Sequence, residues 1–116
     1  MSKYELYLND ILRAIELIEK SIKNKNFNEF KSNRESIDAN SMRLQIIGES
    51  ISKLPKELKE KYKKVNLEKY LQTRNIISHA YFAVSIEIIW KVIKKEIPKL
   101  KIEIKQIKQN LMKNAE

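Results

Sequence analysis

No cysteine occurs among the 116 residues, and there is one histidine, one glycine and two prolines. Each scarcity excludes something. Without cysteine there are no disulfides, no thiolate metal sites and no cysteine nucleophile. One histidine rules out a histidine-rich metal site within a single chain, and no metal is expected. One glycine and two prolines are too few for the turns of a many-stranded sheet. They also leave no glycine-rich phosphate loop, and no bound cofactor is expected. No apolar run approaches the ~20 residues of a membrane-spanning helix. The N-terminus lacks the apolar centre of a signal peptide. The expectation is a soluble, cytoplasmic protein that does not engage membranes.

What is abundant is lysine. The 24 basic residues outnumber 15 acidic ones, giving a formal net charge of +9. Twenty of the basic residues are lysine, alongside 18 isoleucines and 10 asparagines. That mix matches a codon bias toward AT-rich triplets, so part of the charge reflects composition and part an attraction for polyanions. Positions 53–69 carry a net +4 and positions 91–116 a net +5. With 42% hydrophobic and 34% charged residues, the chain reads as one globular domain, 1–116.

The hydrophobic period is helical throughout. Tyr4, Leu8, Ile11, Ile15, Ile18 and Ile22 recur in steps of three and four. Ser2 and Glu5 have the spacing of a capping box. Three asparagines within 24–28 then break the pattern, with Phe27 and Phe30 anchoring a turn or a one-turn helix. A second helix is expected from Ser32 or Asn33, with the stripe Ile37, Leu44, Ile47, Ile51 and Leu54. Asn40 and Ser41 interrupt it. Gly48 lies inside it, where glycine costs about 1 kcal/mol relative to alanine; close helix packing is the plain explanation. Pro55 is placed to open a short charged helix reaching about Lys64. Another helix is expected over Leu67–Phe82. A last one, capped by Ser85, carries an isoleucine stripe from Ile86 to Leu111. That stripe runs through Pro98, which predicts a kink or two nearly collinear helices. The predicted architecture is all-α: an antiparallel bundle of four main helices with one or two short ones. The long final stripe is more than a monomer core needs and favours a homodimer.

The scarce residues gather at Arg74-Asn75-Ile76-Ile77-Ser78-His79-Ala80-Tyr81. This segment holds the only histidine and one of four arginines in a chain that otherwise uses lysine. At about 100° per residue, Arg74, Asn75, Ser78, His79 and Tyr81 share one arc of a helix, while Ile76, Ile77 and Ala80 face the other way. Histidine moves protons near neutral pH. Arginine stabilises charge developing on a phosphoryl group. Asparagine and serine orient their neighbours, and tyrosine donates a hydrogen bond or stacks on a base. The set suits metal-free RNA cleavage by attack of the ribose 2′-OH, with Arg74 and His79 catalytic and Asn75 and Ser78 supporting. The same set also fits a surface helix that happens to carry a histidine. Asn40, Arg43 and Glu49 are further polar groups that either support such a site or serve packing.

The sequence resembles the HEPN superfamily, and within it the HepT-like RNase toxins. Their pattern of Arg, four residues, His, one residue, Tyr reads here as R-N-I-I-S-H-A-Y at 74–81. Y-L-N-D-I-L-R-A-I-E at 7–16, R-L-Q-I-I-G-E-S at 43–50, H-A-Y-F-A-V-S-I-E-I-I-W at 79–90 and I-P-K-L at 97–100 follow in the family's order. Two positions depart from it. Asn66 and Leu67 stand where a tryptophan is frequent, and Gln45 stands where an acidic residue is common. The resemblance implies an all-helical homodimer with a composite cleft. It implies a metal-independent endoribonuclease, the toxin of a type VII toxin–antitoxin pair, with Arg74 and His79 catalytic. It also implies that Tyr81 receives AMP from a cognate MntA-like nucleotidyltransferase antitoxin. The alternative is a non-catalytic helical subunit that binds nucleotide or RNA beside such a nucleotidyltransferase. A plain structural dimer with an incidental basic face is a third.

Overall fold

The computed structural model describes residues 3–61 and 86–114. Every described element is helical, as the period demands. Helix α1 spans Lys3–Ile22. Leu8, Ile11, Ile15 and Ile18 are wholly buried along it. Tyr4 continues the same period but is 40% exposed, because the first turn of α1 extends beyond the core. Ser2 lies outside the described residues. Asn24 ends the helical run in the left-handed region at φ 61°, a conformation asparagine tolerates better than most residues. Asn26 then caps α2, Phe27–Lys31, through a full capping box: Glu29 N–H donates to Asn26 Oδ1 at 2.9 Å, and Asn26 N–H donates to Glu29 Oε1 at 3.1 Å. Phe30 is buried and sits 5.0 Å, centroid to centroid, from Trp90.

Asn33 caps α3, Arg34–Ser52, accepting from the Ser36 N–H at 3.1 Å. The two residues that interrupt the α3 stripe are buried. The Ser41 hydroxyl donates back to the Ile37 carbonyl at 2.7 Å. Asn40 joins a network described below. Gly48 is also buried and helical. It lies two turns from Ser41 on the same face, so two small residues let α3 approach its neighbours closely. Pro55 precedes α4, Lys56–Lys61, instead of opening it as the sequence suggests. Its carbonyl accepts the Leu58 N–H at 3.1 Å and so begins the helix from outside. The expected continuation to Lys64 and the expected helix over Leu67–Phe82 lie outside the described residues.

The C-terminal run is two helices joined just before Pro98. Helix α5, Ile86–Lys91, passes into a π-helical turn, Val92–Glu96, and then into α6, Ile97–Asn114. The Ile97 N–H reaches back five residues to the Val92 carbonyl. A proline ring clashes with the carbonyl four residues before it. The wider turn directly preceding Pro98 relieves that conflict without breaking the run. The isoleucine stripe stays within one buried cluster across the turn, while α5 packs on α2 and α3 and α6 packs on α1. Helix α1 lies between α3 and α6, and the three close one core. Lys101 of α6 bridges to Glu19 of α1 at 2.8 Å.

Candidate active site

Arg74, Asn75, Ser78, His79 and Tyr81, the residues singled out in the sequence, all lie outside the described residues. What the structure describes is the frame on either side of them. Helix α4 precedes the segment and α5 follows it. Helix α5 is fixed by burial of Ile89 and by an aromatic cluster. Trp90 packs 5.0 Å from Phe30 and 6.2 Å from Phe27, and Lys94 Nζ lies 5.5 Å from the Trp90 ring centre. The chain leaving the motif is thereby anchored within ten residues of Tyr81.

Asn40 and Arg43 form a structural network linking α1 to α3. Asn40 is completely buried. Its Nδ2 donates to Ser21 Oγ at 2.8 Å and to Ser36 Oγ at 3.2 Å. Its Oδ1 accepts from Arg43 Nη1 at 2.9 Å. Arg43 also reaches the Leu17 carbonyl at 3.5 Å, and the Ser21 hydroxyl donates to the Ile18 carbonyl at 3.1 Å. A buried amide must find such partners or destabilise the fold. This explains the polar break in the α3 stripe as packing specificity between two helices. Glu49 is exposed on α3.

Charge is distributed unevenly among the elements. Helix α1 carries three basic and four acidic residues, and α3 carries two and three, so each is net −1. The run 86–114 carries eight lysines and three glutamates, net +5. On α1, the hydrogen bond from Lys20, 3.2 Å away, holds the Glu16 carboxyl below the usual carboxylate range. On α6, burial pushes the Glu103 carboxyl up; Lys99 opposes this and Glu96 adds to it. Among the described residues no cluster of histidine, aspartate or glutamate has the makings of a metal site, and no helix is long and apolar enough to cross a membrane.

The profile of the family "Ribonuclease HepT-like" matches residues 11–107, most of the chain and the whole 74–81 motif. The chain belongs to the HepT-like ribonuclease family. Its relatives agree. A gamma-glutamylcyclotransferase and putative RNase of Methanocaldococcus jannaschii is 43% identical over 110 residues, 95% of this chain and 50% of that protein. This chain therefore spans half the length of that relative. A putative RNase of Caldanaerobacter subterraneus subsp. tengcongensis is 38% identical over 103 residues, covering 89% of this chain and 92% of the relative. A probable ribonuclease HepT of Thermococcus cleftensis is 32% identical over 103 residues, covering 89% and 94%. No solved structure matches significantly. The HepT-like assignment also fits the all-helical architecture described above.

Proposed function

We propose that this HepT-like chain is a metal-independent endoribonuclease and the toxin of a type VII toxin–antitoxin pair, acting on RNA in the cytoplasm. The observation that carries the reading is the family match across 11–107, a span that includes Arg74, His79 and Tyr81. In the proposed reaction the ribose 2′-oxygen bonds to the adjacent phosphorus and the P–O5′ bond breaks. The 2′-OH proton passes to a His79 imidazole, and the leaving 5′-oxygen takes a proton from a protonated imidazole. Arg74 balances the charge that builds on the phosphoryl oxygens. Asn75 and Ser78 orient the two. One imidazole cannot conveniently serve both sides of the phosphorus, so a homodimer bringing two copies of His79 to one cleft completes the site.

Control follows from the same residues. A minimal nucleotidyltransferase antitoxin of the MntA type would join Tyr81 Oη to the α-phosphorus of ATP, releasing pyrophosphate. The added AMP would place negative charge and bulk seven residues from Arg74 in the chain, where it competes with RNA.

The test is cleavage by the isolated protein. Purified chain is expected to cut single-stranded RNA in excess EDTA. His79→Ala is expected to lose at least about a hundredfold in rate, the usual contribution of a general acid–base, with an unchanged melting curve. Full activity in His79→Ala would refute the assignment.

A further inference from the structure

Between the α1–α2 turn and the π-helical turn lies an open groove of about 340 Å³. Its floor is apolar, built from Ile22, Ile93 and Ile97, with Pro98 at one end. Lys23, just past α1, and Lys94, on the π-helical turn, both line it and are exposed, the Lys94 ammonium resting 5.5 Å from the Trp90 ring centre. Asn24, exposed and in the left-handed turn, adds an amide at the rim. The one carboxylate in the lining, Glu19, is already bonded to Lys101 at 2.8 Å. We propose that this groove holds one nucleotide of the RNA, outside the Arg74–His79 motif, with its base and sugar on the apolar floor and its flanking phosphates on Lys23 and Lys94.

This rests on the ribonuclease reading for its ligand, and three observations support it. The volume lies at the small end of the ~300–1,000 Å³ typical of small-molecule sites, which is room for a single nucleotide. An apolar floor with two cations matches the amphipathic shape of a nucleotide: a flat base next to a charged backbone. Position is the third. Helix α5 begins five residues after Tyr81 and leads directly into the π-helical turn that supplies Ile93 and Lys94. The groove therefore follows the motif closely in sequence. The opposite side of α1 offers a contrast. Its cleft, about 150 Å³, carries Arg13 and Arg43 beside Asp10 and has less than half the volume of the groove. Its Arg43 is already held by Asn40 Oδ1 at 2.9 Å.

The measurement is RNA binding by the full chain, using a 2′-O-methyl oligonucleotide that lacks the attacking hydroxyl. Lys23→Gln/Lys94→Gln is compared with Lys105→Gln/Lys113→Gln, which removes the same charge from exposed positions on α6. Each phosphate contact with a single strand contributes a slope of about 0.7 in log K against log salt. The first pair is therefore expected to lower the slope by about 1.4, and the second to leave it as in the native chain. Equal slopes for the two pairs, or an unchanged slope for the first, would overturn the groove. If the native chain fails to cleave RNA but the slope change is present, the ribonuclease reading fails and the groove stands. If cleavage is intact and the slope does not move, the groove alone fails.

Discussion

Single side chains decide more of this fold than their number suggests. Asn40 is the clearest case. It is fully buried, and three of its hydrogen bonds tie α3 to itself and to α1. Asn40→Ala strands Arg43, Ser21 and Ser36 with partners missing, at a cost of about 1–3 kcal/mol. Denaturant melts should show the loss as a lower midpoint with an unchanged slope. Glu103 works in the opposite direction. Its carboxyl is raised because burial disfavours its charged form. A raised carboxyl favours the folded state at low pH, and that benefit disappears as pH rises through its folded value. Glu103→Gln is therefore expected to raise the melting temperature at pH 7 and to match the native chain at pH 3. Glu16, lowered by Lys20, has the reverse sign and loses its contribution as pH falls. The sequence allowed a packing role for Asn40 and Arg43 but not their partners. Asn40 reads there as an interruption, since a pattern of apolar residues does not say which polar groups will find partners.

At the scale of elements, the period was the legible part. The α1 stripe and the start of the second helix at Asn33 sit where the sequence puts them; the caps read at Ser2 and Ser85 lie outside the described residues, and the Asn26 capping box was read only as a break in the pattern. The π-helical turn was not legible, because one isoleucine stripe satisfies the period whether or not the helix widens before Pro98. Its effect is to aim α5 at α2, and the joint there is aromatic. Trp90→Ala removes the ring that Phe27 and Phe30 pack against. A loss of about 3 kcal/mol is expected, read as a melting midpoint lowered by roughly 10 °C or more. Trp90→Phe should recover most of it. If Trp90→Ala melts like the native chain, the cluster does not anchor α5. Pro55 is a smaller lesson. Proline is tolerated at a helix start, but whether it stands just inside or just outside depends on which carbonyl begins the ladder.

For the whole molecule, the all-α class followed from scarcity of turn residues and from one helical period. The candidate site was legible as chemistry and not as geometry. His79 and Arg74 stand out because the chain uses lysine for nearly every other cation; the catalytic roles proposed for them rest on the resemblance of the 74–81 segment to the family pattern. How they face one another depends on residues 62–85, which lie outside the described structure.

Charge has a further consequence at this scale. Helices α1 and α3 together are net −2, whereas the chain is +9, so the other 77 residues carry +11. At the chain's overall frequency of 20 lysines in 116 residues, the 19 residues of α3 would hold about three; they hold none. Such a molecule is an electric dipole as well as a cation. Among the described elements, an approaching polyanion is repelled by α1 and α3 and drawn to the run 86–114 before any contact forms, which turns the molecule toward it. Much of the search over orientations that normally slows association is then complete by the time the two surfaces meet.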